Sequence, residues 1–198
     1  ISHSRLEIQL GFDDTVVRAS HEVQRNSGNS RVLILDCEFM EIESVKINDQ
    51  VLAGSAYRRT RDKLIIDGVP EKFHLDITNR IDPSRNTALS GLYKSADMLC
   101  TQCEAEGFRR ITPSIDRPDN LAVYTVTLTG NKEDFPVLLC NGNMVERGDS
   151  DDGSHWSTWH DPFPKPTYLF AIVAGQLNCL EDSFTTCSGR EVILRFYA

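Results

Sequence analysis

Leu6-Glu7-Ile8-Gln9-Leu10-Gly11-Phe12 puts Leu6, Ile8, Leu10 and Phe12 on one side of an extended chain and Glu7, Gln9 and Gly11 on the other. That period of two is the signature of a half-buried strand. Asp13-Asp14-Thr15 then supplies turn chemistry, apolar alternation returns over Val16 to Gln24, and the polar run Asn26-Ser27-Gly28-Asn29-Ser30 closes the second element. The opening is expected to be an antiparallel hairpin.

The same pattern repeats over Val32 to Leu35, Met40 to Ile47, Val51 to Ala56, Lys63 to Ile66 and Phe73 to Ile81, with Asn48-Asp49 and Asp67-Gly68 as turn signals. Farther on, Ala122 to Leu128 alternates before Gly130-Asn131, and Val137 to Cys140 precedes Asn141-Gly142. Tyr168 to Val173 and Glu191 to Tyr197 also read as strands, and no amphipathic helix of three turns interrupts them. Short strands at regular spacing without helices predict an all-β fold, a saddle-like or sandwich arrangement of curved antiparallel sheets with at most short helical turns. No linker, repeat or low-complexity tract divides the 198 residues, so residues 1–198 are expected to form a single domain. A chain of this size buries roughly 70% of its unfolded surface and needs no metal or disulfide to fold.

Composition narrows the partners. With 29 acidic and 21 basic residues the formal net charge is −8, opposite to the basic footprint of proteins that neutralise nucleic-acid phosphates or anionic lipid. No nucleic acid and no membrane partner is expected. The basic cluster Arg58, Arg59, Arg61 and Lys63 reads as a solvated hairpin end. The longest apolar stretch, Tyr168 to Ala174, falls well short of the ~18 residues that span a bilayer. Nothing in Ile1 to Arg5 has the order of a secretory signal, and a first residue other than Met leads us to expect sequence upstream. Six cysteines at this density predict reduced thiols in a cytoplasmic protein rather than a disulfide framework.

Between Asn86 and Asp119 the alternation breaks, which predicts a long irregular segment, and such loops on a β scaffold commonly carry binding groups. It contains Thr101-Gln102-Cys103-Glu104-Ala105-Glu106-Gly107-Phe108-Arg109-Arg110-Ile111-Thr112, followed by Asp116-Arg117-Pro118-Asp119. Together with Asn86-Thr87-Ala88-Leu89 and Gly91-Leu92-Tyr93 upstream, this run closely resembles the amino-terminal domain of bacterial zinc aminopeptidases of the aminopeptidase N family. Asn141-Gly142-Asn143, His155-Trp156 with Trp159, Asp161-Pro162-Phe163-Pro164-Lys165-Pro166, Tyr168-Leu169-Phe170 and Ser188-Gly189-Arg190-Glu191-Val192 extend the resemblance over essentially the whole chain. One departure is Pro113-Ser114-Ile115, where the family usually has aromatic residues.

The resemblance implies a β saddle that leans on a thermolysin-like catalytic domain of the same polypeptide and forms one wall of the substrate pocket. It assigns substrate binding to Glu104, which would grip the free α-amino group of peptide N-termini, and to Gln102, which would line the pocket for the first side chain. It also implies a cis peptide at Glu104-Ala105, zinc in the parent enzyme, a role in peptide catabolism, and no metal or catalytic residue in this stretch. By base rate alone Glu104 and Glu106 are ordinary surface acids; the motif context lifts only Glu104 out of that reading.

The chain lacks the His-Glu-x-x-His helix that such zinc chemistry needs. Its nearest approach, His21-Glu22-Val23-Gln24-Arg25, ends in Arg within a strand pattern. His155 and His160 are read as rings packed on Trp156 and Trp159, and Asp161 to Pro166 as a packed connection rather than a polyproline ligand. Two other functions stay open at this point: a non-enzymatic β-sandwich module binding a partner through Gln102 to Phe108, and a small metalloprotein using Cys100 and Cys103 with His155 or His160.

Overall fold

The computed structural model describes residues 1–198 except Ser27 and Asn29, so the turn read at Asn26 to Ser30 lies partly outside the described residues. The strands are β1 (His3–Gln9), β2 (Thr15–Gln24), β3 (Val32–Asp36), β4 (Glu41–Ile47), β5 (Gln50–Val51) and β6 (Tyr57–Arg59). They continue as β7 (Lys63–Asp67), β8 (Lys72–Ile81), β9 (Gly91–Ser95), β10 (Met98–Gln102), β11 (Ala122–Asn131) and β12 (Val137–Cys140). The last are β13 (Asn143–Asp149), β14 (Ser154–Lys165), β15 (Ile172–Gly175), β16 (Cys179–Thr185) and β17 (Glu191–Tyr197). Helical structure among the described residues is confined to single 3-10 turns at Pro83–Arg85, Phe108–Arg110 and Thr167–Leu169. None of it is long and apolar enough to cross a membrane.

Eight strands form one long sheet in the order β13-β14-β11-β1-β2-β8-β4-β5. Its inward face is read directly off the alternation: Leu6 and Ile8 of β1, Val17 and Ala19 of β2, and Val126 and Leu128 of β11 are buried while their neighbours face out. Burying each such side chain contributes about 1.5–3 kcal/mol, and a one-residue slip would turn a whole strand's set outward, so the register is tightly specified. Two smaller sheets cover this face. The sheet β12-β15-β10-β9 and the sheet β3-β7-β6 each close one apolar cluster against it. The first cluster holds Leu6, Ile8, Leu92, Leu99, Phe108, Leu128 and Ile172; the second holds Val23, Leu35, Leu64, Ile66, Leu75 and Ile77. The result is the expected all-β sandwich of mainly antiparallel sheets.

One pairing within the long sheet is parallel, β1 with β11 in the register Leu6↔Val126. A parallel pair needs a long crossover, here the whole chain between Gln9 and Ala122, and no local pattern announces it. Other differences are local. Of Val51 to Ala56 only Gln50–Val51 pairs, and Tyr168 lies in a 3-10 turn, the strand beginning at Ile172. The basic cluster contributes β6, a short edge strand with Arg58 and Arg59 exposed. The segment after Asn86 is not irregular throughout, because β9 and β10 form a hairpin before Cys103. The prolines of Asp161 to Pro166 sit within β14 where its register against β11 shifts between Ala122 and Tyr124, a bulge being the place a strand tolerates proline.

Between the two apolar clusters runs a polar seam. His21 on β2 is fully buried, with Ser4 Oγ 2.9 Å from its Nδ1. Asn79 on β8 is also buried and donates Nδ2–H to the Ile111 carbonyl at 2.9 Å. His21 Nε2, Asn79 Oδ1 and the Thr112 hydroxyl have no hydrogen-bond partner among the described residues. Burial pushes the His21 pKa down from 6.5 to about 4. Its folded value lies below its unfolded one, so the neutral form contributes stability that is present above pH ~6.5 and is lost as pH falls toward 4. The loss amounts to about 2 kcal/mol by pH 5. Urea titrations at pH 7 and pH 5 should show this loss in the wild type and a much smaller one in His21→Gln.

Candidate functional site

The loop that carries Gln102 and Glu104 begins where β10 ends and crosses the seam. Its base is buried: Cys103 and Phe108 are 2% and 0% exposed. The Phe108 ring meets Phe170 edge-on at 5.0 Å between centroids and Tyr124 at 6.1 Å. Gly107 donates its N–H to the Cys103 carbonyl at 2.9 Å, closing a tight turn. A Cβ on Gly107 would stand 2.2 Å from the Gln102 carbonyl oxygen and 2.9 Å from Gly91 N. Gly91, at φ +79°, is pressed just as closely, its ideal Cβ falling 2.7 Å from Arg110 Cβ. The start of β9 and the loop are packed backbone on backbone, and only glycine fits at either point. Gly107→Ala is therefore expected to lower stability by about 1–3 kcal/mol, the usual cost of overpacking, and to displace the Gln102 to Glu106 turn. A downward shift of the thermal midpoint, with changed amide shifts confined to that turn, checks it.

Beyond this base the turn is exposed. Glu104 donates its backbone N–H to Gln102 Oε1 at 3.0 Å, so the two candidate residues are tied to one another. The Glu104-Ala105 peptide is cis, as the resemblance implied. The two acids of the turn differ. Glu106 Oε1 lies 3.4 Å from Arg109 Nη2, whereas the Glu104 carboxylate makes no ion pair or hydrogen bond among the described residues.

The loop is held from below by a charge network that sequence spacing did not reveal. Asp116 is fully buried at its side chain, and its Oδ2 accepts from Arg109 N at 3.1 Å and from Arg109 Nε at 3.0 Å. Its Oδ1 accepts from the Thr167 hydroxyl at 2.5 Å. Arg109 Nη1 also stands 3.7 Å from Asp36, which receives the Asp116 backbone N–H at 3.1 Å and pairs with Lys63. Asp36 and Ser114 exchange backbone hydrogen bonds of 2.8 and 3.1 Å, so the divergent Pro113-Ser114-Ile115 triplet is stitched to β3. Arg110 pairs with Glu38 at 3.2 Å and lies 4.7 Å over the Phe39 ring. Buried, bidentate contacts of this kind fix a loop far better than surface ion pairs.

A metal finds no such arrangement. Among the described residues no group of three or more His, Cys, Asp or Glu side chains could hold an ion. His155 Nε2 is 2.6 Å from the Phe135 carbonyl and His160 Nδ1 is 3.1 Å from the Thr125 hydroxyl. Five positions apart on β14, the two histidines face opposite sides of the sheet. Cys103 is buried, and burial pushes its thiol up to about 12, far from the thiolate a metal ligand requires. The residues present do not fit zinc.

The fold and loop together define an all-β domain that presents one braced, partly uncompensated acidic turn. Residues 2–169 match the family described as the Peptidase M1 N-terminal domain, and the chain belongs to that family. It is 49% identical to aminopeptidase N of Escherichia coli over 195 residues, covering 96% of this chain and 22% of that protein. Against aminopeptidase N of Caulobacter vibrioides it is 46% identical over 197 residues, covering 100% of this chain and 23% of the relative. The chain thus spans less than a quarter of the length of these relatives. Among solved structures, Legionella pneumophila aminopeptidase A in complex with aspartic acid superposes with a TM-score of 0.93 at 39% identity, covering all of this chain and 24% of that one. An M1 zinc metallopeptidase of Deinococcus radiodurans shares the fold at TM-score 0.81 and 18% identity, over 98% of this chain and 46% of its own.

Proposed function

We propose that residues 1–198 are one domain of a longer cytoplasmic zinc metallo-aminopeptidase, the domain that recognises the substrate's amino terminus as the enzyme removes N-terminal residues from peptides in peptide catabolism. The zinc and the general base lie on the catalytic domain of the same polypeptide. Glu104 receives the α-amino group and Gln102 lines the pocket for the first side chain. The observation that carries this reading is the contrast within one turn: Glu106 is turned toward Arg109 while the Glu104 carboxylate is left uncompensated on a braced loop. Family membership supports it, as does the relative from Legionella pneumophila that holds a free amino acid.

The physical logic is that of an exopeptidase. A carboxylate facing a protonated amine in a desolvated pocket favours substrates whose chain ends there. An internal peptide offers a neutral amide instead and leaves the carboxylate buried without its partner, at a cost of several kcal/mol. The test is to assay aminopeptidase activity and bound zinc in the 198-residue chain and in the full-length product of its gene. Activity and stoichiometric zinc in the full-length protein alone are expected; either one in the 198-residue chain would overturn the assignment.

A further inference from the structure

The sheet β12-β15-β10-β9 stops short of the sheet it covers. Its terminal strand β12 reaches as far as β14, while the long sheet continues to β13. Val137 to Cys140 make the β15 ladder on one side and, among the described residues, no other backbone hydrogen bond. Beside that free edge lies a groove of about 770 Å³ whose lining includes Leu139, Met144, Trp159, Tyr197, Arg147 and Arg195.

Three features set this edge apart from an ordinary one. Proteins blunt exposed strand edges with lysine, proline or a bulge inside the strand, yet β12 reads Val-Leu-Leu-Cys with its proline, Pro136, just outside. The groove is lined by two arginines and no aspartate or glutamate, in a chain whose net charge is −8. Arg195 is shared with Glu181 at 2.8 Å, but Arg147 has no ion-pair partner among the described residues. Trp159 and Tyr197 add large amphipathic surfaces of the kind that anchor recognition.

We propose that this groove binds an extended acidic peptide segment of a partner protein, which adds as a fifth strand to β12. Backbone pairing with β12 supplies affinity, and alternate side chains of the guest supply specificity, its carboxylates meeting Arg147 and Arg195 and its apolar residues meeting Trp159 and Met144. The site lies apart from Glu104 and is independent of the aminopeptidase reading. A guest blocked at its amino terminus would still bind.

The test uses the full-length protein and a fluorescein-labelled acetyl-Glu-Val-Glu-Val-Glu amide, which carries no free α-amine and so does not probe the Glu104 site. Saturable binding is expected, weakened about tenfold in Arg147→Ala, in line with 1–2 kcal/mol for a charge-assisted contact. A lysine analogue of the peptide, and one N-methylated at alternate amides to prevent strand pairing, are expected to bind at least tenfold more weakly. The controls lie in the peptide, so they do not depend on a variant folding. Equal binding of all three peptides, or no binding up to millimolar concentration, would overturn the proposal. So would binding to the 198-residue chain but not to the full-length protein, which would give the groove to another segment of the same polypeptide. A concentration-dependent dimer abolished by Arg147→Ala would overturn it equally, by making the occupant a second copy.

Discussion

Glu104→Ala in the full-length enzyme is expected to lower kcat/KM for peptide hydrolysis by about 30-fold to a few thousand-fold. That range corresponds to the 2–5 kcal/mol typical for truncating one partner of a buried, hydrogen-bonded charge pair. The fold should not suffer, because the Glu104 side chain is exposed and its one recorded hydrogen bond, to Gln102 Oε1, is made by its backbone N–H. Circular dichroism and the unfolding midpoint of the variant should therefore match the wild type. Glu104→Gln keeps size and acceptor geometry but removes the charge, so it should recover part of the loss at most. Glu106→Ala is the neighbouring control. Its carboxylate is largely exposed beside Arg109, and its removal should change kcat/KM little. Equal losses in both alanine variants would mean that the turn as a whole, rather than the Glu104 carboxylate, carries recognition.

Asp116→Ala should produce the largest loss of stability among single changes in the loop network, about 3–5 kcal/mol. The wild-type carboxylate is fully buried and accepts from Arg109 N, Arg109 Nε and the Thr167 hydroxyl. Removing it leaves those donors unsatisfied and the Arg109 guanidinium, 11% exposed, with Asp36 at 3.7 Å as its remaining buried counter-charge. For a domain of this size each kcal/mol moves the thermal midpoint by about 2–4 °C, so a drop on the order of 10 °C is expected. Arg109→Met in the Asp116→Ala background should restore part of the stability, since it withdraws the stranded cation. A double-mutant cycle that returns no coupling between the two positions would show that the ion pair does not brace the loop.

The strands legible in the sequence are those with one buried face. β1, β2, β8 and β11 alternate between core and solvent over seven to ten residues, and their pattern reads through directly. β13 and β16 are almost wholly exposed on both faces, so nothing in their residue order distinguishes strand from loop. β14 was hidden behind its prolines, and the β9–β10 hairpin behind the polar run Lys94-Ser95-Ala96-Asp97. The parallel β1–β11 pairing is a property of topology rather than of any local pattern.

At the loop, Gln102 and Glu104 were found through the resemblance and not through spacing. Their supports could not have been found by spacing at all. Asp36 and Asp116 meet across 80 positions of sequence, and Thr167 reaches Asp116 across 51. The glycine pair was closer to legible, since Gly91 and Gly107 flank the motif, but why each has no side chain becomes visible only when the two backbones are seen in contact.

The account rests on Glu104 holding the amino end of the substrate. The most direct measurement is a crystal structure of the full-length protein bound to a free amino acid such as aspartate. The expected result is a charge-assisted hydrogen bond of about 2.7–2.9 Å between the ligand's α-ammonium and the Glu104 carboxylate, with Gln102 beside the ligand's side chain. A ligand whose amine is held by other groups, with Glu104 still turned to solvent, would contradict it.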